Sequence, residues 1–314
     1  MNETSTKQRH LNMLSTAFGQ HIMDLIDNAD VIEIMLNPDG KLWAESFEKG
    51  QFFTDIILKP EQTINIIKLI AASRHEIVDS EHPQVSCELP ESGARFQGLI
   101  PPIVAAPTFA IRKKAIRVFT LDDYVKAGSI TEKAAAWLKN AVLEHKNILI
   151  AGGTASGKTT FANALLHELN TTKDRVIILE DLPELQVNIE NHIKLRTSNE
   201  ISMRNLVQMS LRLRPDRIII GEVRDGAAIE LLKSWNTGHP GGICTIHANS
   251  PEATLARLAD LIQEAVSVVP QRLIAEAINV IVFMQRDKQG KHKIASIHEY
   301  QCDQTGDYFL QLIN

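Results

Sequence analysis

The stretch that most narrows what this chain can fold into is Gly152-Gly153-Thr154-Ala155-Ser156-Gly157-Lys158-Thr159-Thr160. It follows an apolar run at 148–151 and precedes a helical pattern at 159–169, so the G-x-x-x-x-G-K-[ST] spacing sits between a strand and a helix, where its chemistry needs it. Glycines there let backbone N–H groups curl around phosphate oxygens, and the helix N-terminus adds the positive end of its dipole. Lys158 is expected to reach the β- and γ-phosphates and Thr159 to ligate Mg²⁺, with the whole run from Gly152 to Thr160 holding ATP. The plain alternative is a glycine-rich turn that only joins two elements.

Downstream, apolar strands at 148–151, 176–179, 218–220 and 243–246 alternate with amphipathic helices at 159–169, 205–213 and 227–235. That alternation predicts an α/β domain with a mainly parallel sheet and helices on its faces. In such sheets ligands gather at the carboxyl ends of the strands, which singles out three side chains. Glu222 ends Arg217-Ile218-Ile219-Ile220-Gly221-Glu222 and is expected to orient or deprotonate the attacking water, with or without holding the metal. Glu180, in Val176-Ile177-Ile178-Leu179-Glu180-Asp181, is a second metal or water contact. His247, in Thr245-Ile246-His247-Ala248-Asn249, is placed to meet the γ-phosphate. Each has a structural alternative, since a carboxylate near a helix start stabilises the helix without catalysis and a lone histidine is often only packed. Ser250 and Pro251 supply an N-cap and first-turn proline for a helix carrying Leu255, Leu258 and Ile262.

The first third of the chain reads as a smaller α+β domain. Extended runs at 31–37 and 41–46 flank Pro38-Asp39-Gly40, a hairpin turn, and Ile64, Ile67, Ile70 and Ala71 recur at helical spacing after Pro60. Extended patterns return at 93–100 and 108–113, carrying Arg95 and Arg112. No strong element is evident at 113–128, and Ser129-Ile130-Thr131-Glu132 fits a capping box opening a helix with Ala134, Leu138, Ala141 and Val142 on its apolar face. The expected division is 1–118 for the first domain, 119–130 for a linker and 131–314 for the ATPase domain, sizes that 314 residues allow. Arg204, Arg212, Arg214, Arg217 and Arg224 cluster in the second part, and most surface arginines are simply solvated. Arg95 and Arg112 stand upstream of the linker, where guanidinium groups from another domain or subunit stabilise transition-state charge on a phosphoryl group.

A formal net charge of −5 gives no global attraction to nucleic acid, so direct sequence-specific binding is not expected. The polar opening at 1–10 does not read as a secretory signal, and no run of about 18 apolar residues suggests a membrane span. Cys87, Cys244 and Cys302 are odd in number and widely spaced, which indicates neither a disulfide framework nor a zinc site. A cytoplasmic protein is expected, with peripheral membrane attachment left open.

The chain resembles the secretion traffic ATPases of type IV secretion and conjugation systems, TrbB-like conjugal transfer ATPases above all. The resemblance runs over nearly its whole length. It is carried by Arg95-Phe96-x-Gly98-Leu99-x-Pro101-Pro102, Ala105-Ala106-Pro107-Thr108-Phe109-x-Ile111-Arg112, the phosphate loop, Glu180-Asp181, Gly221-Glu222-Val223-Arg224, and Thr237-Gly238-His239-Pro240-Gly241-Gly242 leading into Thr245-Ile246-His247-Ala248-Asn249. It implies a RecA-like P-loop domain behind the smaller N-terminal one, and a homohexameric ring at the cytoplasmic face of the inner membrane. It also implies partners among the inner-membrane and coupling components of the apparatus, and site roles for Glu180, Glu222, His247, Arg95 and Arg112. The four-cysteine zinc element common in type II secretion and pilus-extension motors is missing, which favours the conjugation branch. Other readings of the same residues are a nucleotide-gated docking protein, a pilus extension or retraction motor, and a small-molecule kinase, the last lacking a recognisable acceptor site.

Overall fold

The computed structural model describes residues 3–46, 49–74, 76–90, 92–113, 118–198, 200–287, 292–302 and 308–313, without the side chains of 3–11 and 302. The side chain of Cys302 thus lies outside the described residues, while Cys87 is a half-buried and Cys244 a buried free thiol. The chain divides into two compact units, Met1–Arg117 and Val118–Asn314. No helix among the described residues is long and apolar enough to cross a membrane.

In the first unit, α1 (Glu3–Asp27) is interrupted at Gly19 and leads into β1 (Val31–Leu36), β2 (Lys41–Ser46) and β3 (Gly50–Ile57). Then come α2 (Pro60–Ser73), β4 (Gln84–Glu88), β5 (Arg95–Leu99) and β6 (Thr108–Arg112). The strands form one antiparallel sheet in the order β3-β2-β1-β6-β5-β4. Neither α1 nor β3 is among the sequence expectations, although Leu14, Phe18, Ile22 and Ile26 recur every fourth residue and bury one stripe of α1 against Ile66, Ile67 and Ile70 of α2 and the inner face of the sheet. The buried ammonium of Lys113 donates to the carbonyls of Leu25 and Asn28 at the end of α1, where a cation is favoured. Burial there holds its pKa below the usual lysine value.

The second unit begins with α3 (Leu121–Lys126) and α4 (Glu132–Leu143). The stretch expected as a bare linker therefore carries a helix, opened by the Thr120 hydroxyl and anchored by buried Leu121 and Tyr124. The N-cap of α4 is Thr131, whose hydroxyl accepts from the Ala134 N–H at 3.1 Å, and not Ser129 two residues earlier. The unit continues through β7 (Ile148–Gly152), α5 (Lys158–Glu168), β8 (Val176–Glu180), β9 (His192–Arg196), α6 (Met203–Ser210) and β10 (Arg217–Ile220). It ends with α7 (Ala228–Asn236), β11 (Ile243–His247), α8 (Pro251–Gln263), α9 (Gln271–Ala277), β12 (Val280–Arg286), β13 (His292–Cys302) and β14 (Tyr308–Leu312). The sheet order is β14-β13-β12-β7-β11-β10-β8-β9, parallel from β12 to β9 and antiparallel at the β12-β13-β14 edge.

Strand alternation divides the apolar residues between two faces. Ile148, Ile150, Val176, Ile178 and Ile219 pack with α3, α4 and α5, whereas Leu149, Ala151, Ile177, Leu179, Ile218 and Ile220 pack with α6, α7, α8 and α9. As expected, Ser250 caps α8 and Pro251 occupies its first turn, with Leu258 and Ile262 buried.

The amino ends of the strands are tied by one buried side chain, Asn147. Its Oδ1 accepts from the N–H groups of Gly241 (2.8 Å) and Gly242 (2.9 Å), and its Nδ2 donates to the Ala277 carbonyl (2.7 Å). The glycines are small for packing reasons: a Cβ on Gly242 would overlap the Trp235 indole nitrogen, and one on Gly241 would come within 2.5 Å of Arg217 Nη1. Arg217 is fully buried and pairs with Asp174, so the sequence cluster of arginines hides one core residue. The Gly238–Gly242 run thus belongs to the end of the sheet opposite Gly152. Asn147→Ala strips the partner from two buried N–H groups and is expected to cost about 3 kcal/mol. Chemical unfolding of the full chain measures this, with exposed Asn236→Ala as a control that changes stability by less than about 0.5 kcal/mol.

Candidate nucleotide site

Strand β7 is buried along its length and ends at Gly152, and α5 starts at Lys158 with Gly157 as its N-cap. Between them Gly152 (φ 156°), Ala155 (φ 54°) and Gly157 (φ 91°) have positive φ, the backbone habit that gathers N–H groups into an anion cradle at a helix N-terminus. Two observations show that this loop fits a phosphate. The Ser156 hydroxyl is buried with no hydrogen-bond partner among the described residues, and the space where a Cβ on Gly153 would sit is open.

Lys158 folds back over the loop and donates to the carbonyls of Gly152 (3.0 Å) and Gly153 (2.8 Å) and to His247 Nδ1 (3.3 Å). An ammonium only donates, so Nδ1 accepts, and in the neutral ring the proton is assigned to Nε2. Nε2 lies 2.9 Å from Glu222 Oε1, a close polar contact in which the ring N–H is not aligned as a hydrogen bond on that oxygen. The other oxygen of Glu222 accepts from Arg224 Nη2 at 2.7 Å, a bond that raises the guanidinium pKa, and Arg224 Nη1 is 3.9 Å from Asp181. A chain of contacts thus runs Lys158, His247, Glu222, Arg224, Asp181.

Sheet order explains this meeting. The register sets His247 opposite Gly152, β10 follows β11, and β8 follows β10, so residues over 90 positions apart in sequence end on neighbouring strands. Glu180 is committed elsewhere with one oxygen: its Oε1 accepts the N–H groups of Glu184 (2.8 Å) and Leu185 (2.7 Å), bracing the loop after β8. It is nearly inaccessible, and burial pushes its pKa up against those two bonds. Thr159 and Thr160 occupy the first turn of α5, partly exposed.

The hydroxyl of Thr159 and the carboxylates of Glu222 and Glu180 are hard oxygen donors of the kind Mg²⁺ takes. Among the described residues no three His, Cys, Asp or Glu groups cluster as a metal site on their own.

In the first unit, Arg95 and Arg112 are direct cross-strand partners on β5 and β6. Glu33 on β1 sits opposite Arg112 and Glu88 on β4 opposite Arg95, so four side chains form an acid-base-base-acid row across the outer face of the sheet. Flanking carboxylates offset the repulsion of two adjacent guanidinium groups. Sequence reasoning overlooked Asn163, whose buried amide accepts from Gln186 N–H (2.8 Å) and donates to the Glu184 carbonyl (3.3 Å), as well as Arg224 as a partner of Glu222. It also overlooked Arg286 and His292, which face the loop from β12 and β13. The apolar run at 280–284, followed at once by Gln285 and Arg286, is the signal that marks Arg286.

Residues 13–306 match the profile of the family described as "Type II/IV secretion system protein". The chain is 42% identical over 313 residues to a probable conjugal transfer protein TrbB of Sinorhizobium fredii (strain NBRC 101917 / NGR234), covering 99% of this chain and 96% of the relative. It is 43% identical over 300 residues to the conjugal transfer protein TrbB of Rhizobium radiobacter, covering 95% and 93%. Among solved structures, the Legionella pneumophila ATPase DotB shares the fold with a TM-score of 0.61 at 17% identity, over 92% of this chain and 79% of that one. The VirB11 ATPase of the Brucella suis type IV secretion system is similar with a TM-score of 0.50 at 24% identity, over 95% and 97%. The α/β sheet with a P-loop and a smaller α+β unit before it is the fold class expected from the sequence, and by profile and near full-length relatives the chain belongs to the type II/IV secretion system protein family.

Proposed function

We propose that this chain, an ATPase of the type IV secretion and conjugation branch of its family, hydrolyses ATP in the loop at Gly152 to Thr160 and works as a ring of six at the cytoplasmic face of the inner membrane. The names of its relatives point to conjugal transfer as the process driven, with membrane and coupling components of that apparatus as partners. The observation that carries the reading is the meeting of Lys158, His247 and Glu222 at adjacent strand ends.

In this reading, phosphate oxygens replace the Gly152 and Gly153 carbonyls as partners of Lys158. His247 meets the γ-phosphate, and Glu222 orients or deprotonates the attacking water. Bound Mg²⁺ would be held by Thr159, Glu222 and the second oxygen of Glu180, and it supplies charge neutralisation at the β- and γ-oxygens. Arg95 and Arg112 supply guanidinium groups to transition-state charge. The two units are the two domains of the motor.

One observation favours a second reading, a nucleotide-gated docking protein: both oxygens of Glu222 face partners, Arg224 and His247. The Glu222→Gln variant separates the two. A motor is expected to keep ATP binding and lose about 10²–10⁴-fold in turnover, with conjugal transfer lost, as general-base removal requires. Transfer that survives would favour docking, and Lys158→Ala should abolish ATP binding in both.

Glu180→Gln keeps an oxygen for the Glu184 and Leu185 N–H groups but removes the charge. Turnover is expected to fall about 10²-fold with an unchanged unfolding temperature if Glu180 serves metal or water; full activity would leave it a loop brace only. Light scattering with ATP and Mg²⁺ is expected to find six chains of 35.0 kDa per particle. A fully active monomer would sink the ring.

A further inference from the structure

The β12–β13 hairpin meets the phosphate loop at three points. Met284 pairs with Gly152, and a Cβ on Gly152 would overlap the Met284 carbonyl oxygen. Arg286 Nε donates to the Ala155 carbonyl at 2.7 Å. His292, the cross-strand partner of Arg286, holds Nδ1 3.0 Å from where a Cβ on Gly157 would sit.

Ala155 is the residue in this loop that has a side chain and yet lies at positive φ (54°). An L side chain is disfavoured there by contact between Cβ and its own backbone, so the conformation persists only if neighbours hold it. The peptide group is planar and trans, which makes the Ala155 carbonyl and the Ser156 N–H point in opposite directions. A guanidinium that fixes the carbonyl on the hairpin side therefore turns the N–H toward the loop interior, where its protein partner is the Gly153 carbonyl at a long 3.4 Å. Such an N–H is well placed to take a stronger acceptor such as a phosphate oxygen.

We infer that Arg286 is a positioning residue for ATP hydrolysis: by holding the Ala155 carbonyl it keeps Ala155 at positive φ and presents the Ser156 N–H to the nucleotide phosphates. The inference rests on the nucleotide reading of the loop. It gives the C-terminal hairpin a part in nucleotide binding through preorganisation of the loop, with no contact to the substrate itself.

Steady-state kinetics on the full chain tests it with Arg286→Ala, Ala155→Gly and the double variant. Losing one charge-assisted bond that preorganises the cradle should raise KM for ATP about tenfold and change kcat less than about threefold. Glycine adopts positive φ without strain, so Ala155→Gly alone stays near wild type, and in the double variant it returns KM to within about threefold of wild type. Arg286→Lys, which keeps a donor, recovers part of the loss. If Arg286→Ala does not fold, Arg286→Met takes its place with the same comparison. A wild-type KM in Arg286→Ala overturns the inference, and so does a raised KM that glycine fails to rescue, which would assign Arg286 to the nucleotide itself. Lys158→Ala checks the underlying reading separately: if that variant binds ATP normally, the loop is not the site, whatever Arg286 does.

Discussion

Parallel pairing of β7 with β11 on one side and β12 on the other decides what Gly152 touches, His247 in one register and Met284 in the other. A parallel sheet brings all its carboxyl ends to one edge, and at that edge N–H groups and side chains from distant stretches of sequence face one volume. Register is strict here because β7 is buried on both faces, so a slip by one residue would exchange every apolar side chain between the two helix layers. Asn147 pins the start of that register. Its amide joins the ends of α9 and β11, and its backbone carbonyl accepts from Val280 at the start of β12.

Much of this was legible from residue order. The phosphate loop, the strands ending at Glu180, Glu222 and His247, and the helices between them all carry local signals of periodicity and composition. Long-range partnership was not legible. Nothing near Glu180 in sequence says that one oxygen is occupied by the N–H groups of Glu184 and Leu185, because that depends on how the loop after β8 turns back. Likewise, the arginine-rich stretch reads as surface charge, yet Arg217 is buried against Asp174 and the Val142 carbonyl. The charge does not predict its own environment; strand β10 carries it into the core.

The three C-terminal strands are illegible in the sequence for a different reason. Val280–Arg286 begins with a short apolar run, which periodicity cannot distinguish from a buried helical segment, and β13 and β14 are antiparallel additions outside the βα alternation that organised the reading. Two of these strands, β12 and β13, wall the phosphate loop. A motif identifies which residues curl around phosphate, whereas the wall determines how firmly they are held.

Donor arithmetic at Lys158 connects the parts of the site. Its ammonium has three N–H groups, and its acceptors among the described residues include two loop carbonyls and His247 Nδ1. Contact with a phosphate oxygen therefore requires Lys158 to release at least one of them. With the two carbonyls released, the His247 ring still stands between Lys158 and Glu222, and Glu222 is in turn held by Arg224. The lysine beside one strand end and the carboxylate two strands away thus share a single histidine, whose Nδ1 accepts from the lysine. The Arg286 contact lies on the other side of the same loop, where its guanidinium donates to the Ala155 carbonyl.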